Sequence, residues 1–202
     1  MDLLVHDGVA GDQAANLALE ETLARSGPAA PLLRVWQNES CVVIGRAQRA
    51  GREVDLAACA ASGVPVLRRA SGGAVYQDLG NLNISLAVPG RAPGLAAEAA
   101  AQVGAFLTPA PADHHPTDSR RSPVACLRDL GCDIGVAGVR GAALAEAARR
   151  YGPLRRRPPD AAENRWQQRL LLAERYRIES WHLTGRTKEA QWTIRPVLTC
   201  TG

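Results

Sequence analysis

The apolar positions of this 202-residue chain change period several times, and each change marks an element. Residues 12–25 carry Leu17, Leu19 and Leu23 on a partly helical spacing, with Asp12 placed to cap the first turn. Pro28 and Pro31 break that pattern. Leu32 to Trp36 and Cys41 to Ile44 are short β-rich runs, joined by the hairpin-length loop Gln37-Asn38-Glu39-Ser40. Residues 55–62 predict a helix that begins near Asp55 and stops at Gly63. Residues 65–69, 74–77 and 82–88 predict three more strands, and 93–107 an alanine-rich helix. Residues 30–88 are therefore expected to supply at least four strands of one sheet.

The pattern changes after residue 107. Residues 109–118 are rich in proline and polar residues and have no apolar period, which predicts a loop. Its adjacent His114 and His115 lack any carboxylate or cysteine at metal-ligand spacing. Residues 142–150 and 160–177 predict helices, separated by Gly152-Pro153 and Pro158-Pro159. Arg155-Arg156-Arg157 reads as a solvated face or linker. No internal repeat is present.

Composition narrows the class. With 46% apolar residues, the chain can bury the core of one domain with at most a small appendage. No run of 18 apolar residues and no basic leader before an apolar stretch is present, so neither a membrane span nor a secretory signal is expected. Cys41, Cys59, Cys126, Cys132 and Cys200 show no CxxC pairing, which points to a reducing, cytoplasmic setting and away from a disulfide or zinc framework. The net charge of +4 would suit nucleic acid, an acidic protein or a phosphorylated ligand. No helix-turn-helix, zinc-finger or RNA-recognition signature supports nucleic acid. Lys188 is the only lysine, so a mechanism that requires one must use it or do without.

The densest candidate chemistry lies in Arg68-Arg69-Ala70-Ser71-Gly72-Gly73-Ala74-Val75-Tyr76-Gln77-Asp78-Leu79-Gly80-Asn81-Leu82-Asn83. Guanidinium forks suit phosphate and carboxylate oxygens, and glycines let backbone N–H groups approach an anion. On spacing alone, a β-hairpin with two solvated arginines is an equal reading. Alternation along a strand lets only one of the two arginines face a cleft, and Arg69 is nearer the turn.

This run resembles the signature of the lipoate–protein ligase family, which includes octanoyltransferases and is related to biotin–protein ligases. Asn16 to Glu21 resembles the family's opening helix. Arg34-Val35-Trp36 and Cys41 to Gln48 resemble its next two strands and the following turn. The resemblance covers about residues 10–90. It implies an α/β (α+β) fold with a central mixed, largely antiparallel sheet flanked by helices. It also implies a catalytic domain over residues 1–150 that diverges after 107, and a helical tail at 151–202 as a possible remnant of an accessory domain. Residues 109–202 then read as a diverged, truncated or frame-disturbed second half.

By resemblance, Arg68 and Arg69 would line the acyl-phosphate site, and Ser71, Gly72, Gly73 and Ala74 would form its turn. Gln77 and Asp78 would orient the far wall, with Gly45 and Arg46 near the adenylate or acyl tail. The family's activity is attachment of lipoate or octanoate, through an acyl-adenylate made with ATP and Mg²⁺, to a lysine of a lipoyl domain. The acceptors would be lipoyl domains of 2-oxoacid dehydrogenase complexes or the glycine cleavage H protein, with neither nucleic acid nor membrane involved.

Two departures bear on that activity. The family lysine lies in a glycine-flanked segment matched here by residues 133–143. Without a gap Arg140 occupies its place, and with a two-residue gap the lysine is deleted. The turn between Ser71 and Val75 is also one residue shorter than in most relatives. Ser122-Pro123-Val124-Ala125-Cys126-Leu127 resembles the octanoyltransferase branch, in which a cysteine carries the acyl group as a thioester and no cofactor is needed. Cys126 is the alternative nucleophile, or else a small buried residue. The third reading is a non-catalytic binder of acyl-adenylate or of lipoyl domains. Tyr176, Trp181 and Gly185 weakly resemble the entry into the ligases' accessory domain.

Overall fold

The computed structural model describes residues 3–8, 12–71, 75–87, 127 and 129–187. Its strands are β1 (Leu3–Gly8), β2 (Leu32–Trp36), β3 (Cys41–Ile44), β4 (Val66–Arg68), β5 (Val75–Gln77), β6 (Asn83–Ala87) and β7 (Leu154–Arg156). Its helices are α1 (Gln13–Ser26), α2 (Ala50–Glu53), α3 (Leu56–Ala61), α4 (Val136–Tyr151), α5 (Ala161–Gln168) and α6 (Glu179–Thr184), with a π-helical turn at Arg169–Glu174.

The chain is α/β, with helices flanking mixed sheets. The single sheet expected for residues 30–88 is instead divided in two. One sheet has the order β6-β2-β1-β7 and the other β4-β3-β5. β1 runs parallel to β2 and β7, while β2 and β6 are antiparallel. In the small sheet β3 is parallel to β4 and antiparallel to β5. The division follows from burial. Leu32 to Trp36 is buried at every position, so both faces of β2 need cover. Leu33 and Val35 pack with Ala147 and Leu144 of α4. Leu32 packs with Leu19 and Leu23 of α1, and Trp36 joins Leu17 on the same side. Cys41, Val43 and Leu67 of the small sheet close over that α1 layer.

Asp12 caps α1 by accepting from the Ala14 and Ala15 N–H groups, and Gly27 ends it at φ 58°. Asp55 caps α3 in the same way through the Ala58 N–H. β1, α2 and β7 have no counterpart in the expected elements, and α4 starts at Val136 rather than 142. Arg155 and Arg156, read as face or linker, lie in β7. Asp160 and Glu163 form a capping box for α5.

Residues 154–184 share the core of the preceding elements. Leu170, Leu171 and Tyr176 join the cluster of Leu17, Trp36, Cys41 and Leu67. Glu21 of α1 accepts from the Tyr176 hydroxyl at 2.7 Å and pairs with Arg175. The Arg175 guanidinium lies over the Trp181 ring at 4.9 Å. Among the described residues, no helix is long and apolar enough to cross a membrane. The expected helix at 93–107, the loop at 109–118 and Cys126 lie outside the described residues.

Candidate functional site

Strand alternation sends Arg68 and Arg69 to opposite sides of the small sheet. Leu67 points into the α1 core, so Arg68 points the other way, toward α6. Arg68 is only 1% exposed, and its guanidinium is fully engaged by carbonyl oxygens. Nη1 donates to Gly45, Arg46 and Gln48 at 2.8, 2.9 and 2.7 Å. Nε donates to Trp181 and His182 at 2.9 and 3.2 Å, and Nη2 to Leu183 at 3.2 Å. The last three carbonyls lie in the final turn of α6, where helical carbonyls lack intrahelical partners and a cation is favoured. Burial lowers the Arg68 pKa.

The backbone of Arg68 completes this clamp. Its N–H donates to His182 Nδ1 at 2.9 Å, and its carbonyl accepts from Trp181 Nε1 at 3.0 Å. The second His182 nitrogen faces the Tyr176 carbonyl at 3.1 Å. Nδ1 must accept, so His182 is the neutral Nε2–H tautomer. Gly185 follows α6 at φ 72°, and a Cβ there would meet the Arg46 carbonyl at 3.3 Å and Arg68 Nε at 3.5 Å. Its left-handed conformation favours glycine, and a Cβ would press the Arg46 carbonyl by a few tenths of an ångström.

The clamp holds the Gly45–Gln48 turn against the Ser71 turn. The Arg46 N–H donates to the Ser71 carbonyl at 2.8 Å, and the Arg69 N–H to the Ile44 carbonyl at 2.9 Å. Gly72, Gly73 and Ala74 lie outside the described residues. A cleft of about 730 Å³ opens beside the two turns, with Arg46, Arg49, Ser71, Leu183 and Arg186 in its wall.

Arg69 takes the opposite, inward side and is partly buried. Burial lowers its pKa, and the nearby Glu20 carboxylate opposes that shift. Glu20 accepts from Ser85 Oγ at 3.2 Å, which in turn accepts from Trp36 Nε1 at 3.2 Å. Glu20, Ser85 and Arg34 also line a second cleft of about 510 Å³, whose remaining wall includes Leu23, Leu32 and Leu86.

A chain of buried amides connects the two sheets. Arg34 donates to the Asn16 carbonyl at 2.9 Å and to Asn16 Oδ1 at 2.6 Å. Asn16 Nδ2 donates to Asn38 Oδ1 at 3.0 Å, Asn38 Nδ2 to Gln77 Oε1 at 2.7 Å, and Gln77 Nε2 to Asn83 Oδ1 at 2.9 Å. Gln77 is thereby fixed in the interior. Burial lowers the Arg34 pKa to about 10, against an upward pull from Glu20, which leaves it charged at neutral pH. Asp78 turns its carboxylate into its own loop and accepts from the Gly80 N–H at 2.7 Å.

Arg140 lies on α4. With Gln37, Leu79 and Leu144 it lines a third cleft of about 560 Å³, against the turn that follows Gln77. Gln37 Nε2 donates to the Leu79 carbonyl at 2.7 Å and fixes that turn. Cys41 is buried, and burial raises its thiol to about 11 against a weaker Asn38 hydrogen bond, so it is no nucleophile at neutral pH. Among the described residues, no group of three His, Cys, Asp or Glu side chains could hold a metal. The structure thus gathers Gly45, Arg46, Arg68 and Ser71 around one pair of turns. It places Arg69 and Gln77 in the interior beyond, and Arg140 on a separate helix. Glu20, Ser85, Asn38 and His182 had no assigned role in the sequence reading. Glu20 was legible only as part of the opening helix.

The Lipoyl protein ligase A/B catalytic domain model matches residues 12–107. A lipoate-protein ligase A homologue of Aeropyrum pernix is 46% identical over 81 residues, 38% of this chain and 30% of that protein. The matched stretches span only 30%, 20% and 23% of the lengths of the curated relatives. Among solved structures, lipoate-protein ligase A bound with ATP aligns with TM-score 0.69 and 21% identity, over 90% of this chain and 98% of the other. A bipartite lipoate protein ligase of Thermoplasma acidophilum, solved with its E2 lipoyl domain, aligns with TM-score 0.67 and 21% identity, over 93% and 98%. At these identities the structural likeness establishes the fold. Over residues 12–107 the chain is thus similar in sequence to the lipoyl protein ligase A/B catalytic domain, and its fold is that of the lipoate ligases.

Proposed function

We propose that this chain is a ligase-type acyl-transfer protein that attaches lipoate or octanoate to a lysine of a lipoyl domain through an acyl-adenylate. The observation that carries this reading is the division of labour between Arg68 and Arg69. Arg68 is consumed in shaping the Gly45–Gln48 and Ser71 turns. Arg69 faces the interior beside Glu20. There its positive charge would offset the acyl-phosphate, with the Leu23, Leu32 and Leu86 wall of the cleft beside Glu20 on the acyl side. The acyl carboxylate would attack the α-phosphate of ATP and release pyrophosphate; the acceptor lysine amine would then attack the acyl carbonyl, AMP leaving with the bonding electrons and the amine proton passing to solvent. Mg²⁺ would enter with the ATP phosphates, since they supply its oxygen ligands.

Arg140 matches the family lysine in the ungapped sequence alignment but lines the separate cleft beside the Leu79 turn. No ammonium would then stand between the acyl carbonyl and the phosphate, so turnover is slow, by ~10²–10³ against a lysine-bearing enzyme. The test is mass spectrometry of a cytoplasmic lipoyl domain incubated with the chain, ATP, Mg²⁺ and lipoate or octanoate. Slow, ATP-dependent gain of one acyl group is the expected result. Transfer from octanoyl carrier protein without ATP, lost in Cys126→Ser, would replace this reading by the cysteine mechanism. Ligand-induced stabilisation with no acyl gain would replace it by the non-catalytic binder.

A further inference from the structure

Most arginines among the described residues are engaged. Arg25, Arg149, Arg157, Arg175 and Arg177 pair with carboxylates, and Arg34 and Arg68 hydrogen-bond to amide or carbonyl oxygens. Arg46, Arg49 and Arg186 differ. Among the described residues their guanidinium groups make no hydrogen bond and no ion pair, and all three line the same cleft of about 730 Å³. No described carboxylate lines it. Three like charges converge here because Arg68 and the Gly185 turn tie the Gly45–Gln48 segment to the end of α6. Like charges so placed repel one another, and a counter-charge would relieve that cost.

The wall says which kind of anion fits. All three arginines are exposed, and beside them stands Leu183, an apolar side chain left 40% exposed. A small phosphate site would gather enclosed donors around one point. Here the three arginines are all exposed and share their wall with an exposed apolar side chain, as at the polar rim and apolar core of a protein contact. We propose that this cleft is a docking surface for an acidic protein segment, with its carboxylates on Arg46, Arg49 and Arg186 and one apolar side chain on Leu183. The surface lies apart from the interior side of the sheet where Arg69 sits, and its test needs no acyl substrate.

The test is fluorescence anisotropy with the whole chain and a labelled Glu-Glu-Leu-Glu-Glu peptide at low salt. Four proteins are compared: the parent, Arg46→Ser/Arg49→Ser/Arg186→Ser, Leu183→Ser, and a charge-matched control, Arg149→Ser/Arg150→Ser/Arg165→Ser. Circular dichroism checks that each folds, which exposed substitutions should allow. Binding should weaken at least tenfold in the cleft triple and several-fold in Leu183→Ser. It should stay within twofold in the control and fall steeply with added salt. Equal weakening in control and cleft triple would mean diffuse attraction and overturn the site. Retained affinity in Leu183→Ser, together with tighter binding of inorganic tripolyphosphate than of the peptide, would reassign the cleft to a small anion. No binding to the parent would also overturn it.

Discussion

The Arg68 backbone N–H donates to His182 Nδ1 at 2.9 Å, joining residues 114 apart in sequence. The same guanidinium donates to carbonyls of the Gly45–Gln48 turn and of the last turn of α6. Side chain and backbone of one residue thus fix a strand end, the turn beside it and a C-terminal helix.

Arg68→Lys should therefore behave as a large change. An ammonium cannot reach the carbonyls that three separate guanidinium nitrogens engage, so several buried acceptors would lose their donor. We expect a loss of about 3 kcal/mol or more in urea unfolding, at the upper end for a single substitution. Unfolding midpoints that match the parent would show that water or a neighbour replaces the clamp.

His182 makes the clamp pH-sensitive. Burial lowers its pKa, with the Tyr176 carbonyl opposing and Arg68 assisting the shift. The folded value lies below the unfolded one, so between them the unfolded chain binds more protons and stability rises with pH. Stability should be full above about 6.5, the unfolded value, and should decline as pH falls below it. His182→Gln should flatten the slope as pH falls below about 6.5, since its amide oxygen can accept from Arg68 without taking up a proton. An unchanged slope in that variant would place the titration elsewhere.

Glu21 ties α1 to the C-terminal part. It is 6% exposed, pairs with Arg175 and accepts from the Tyr176 hydroxyl, whose own pKa is raised by burial and by Glu21. Glu21→Gln keeps the shape but leaves Arg175 without its counter-charge in the interior. We expect a cost of about 3 kcal/mol, and less for Tyr176→Phe, which removes one hydrogen bond worth about 1 kcal/mol. Equal costs would mean that the charge of the pair contributes nothing beyond the hydrogen bond.

The sequence was most legible where burial is set by local pattern. Leu32 to Trp36 and Cys41 to Ile44 came out at their observed bounds, because apolar runs closed by turn residues leave few alternatives. β7 was hidden because it is three residues with two arginines, held by pairing to β1 rather than by apolar content. The division into two sheets depends on which face of β2 meets which helix, and no local pattern records that. Within the site, alternation separated the roles of Arg68 and Arg69. The Arg68–His182 contact was invisible, since nothing in either neighbourhood specifies a partner 114 residues away. Tyr176, Trp181 and Gly185 form a spaced trio in the sequence, and the Tyr176 bond to Glu21, the Trp181 bond to Arg68 and the close approach of Gly185 to the Arg46 carbonyl give that spacing a physical cause.

The acyl-transfer reading separates Arg69 from Arg140. Arg69 is expected to act on the phosphate, so Arg69→Ala should lower ATP-dependent acyl gain by ~10²-fold, the scale of losing one positioned donor. Arg140 sits on α4 against the Leu79 turn, and Arg140→Lys leaves that helix and its direction unchanged. A shorter ammonium on the same helix face reaches the same cleft and not the interior beside Glu20. We therefore expect Arg140→Lys alone to raise the rate less than tenfold, and insertion of two residues to read Gly-Arg-Lys-Val to raise it more, because it would also change where the lysine emerges. The comparison is initial acyl gain by mass spectrometry at saturating ATP for the three proteins. Full recovery in Arg140→Lys alone, to the order of 1 s⁻¹ or above, would show that the helix already presents this position to the acyl-phosphate and that Arg69 is not the residue nearest to it.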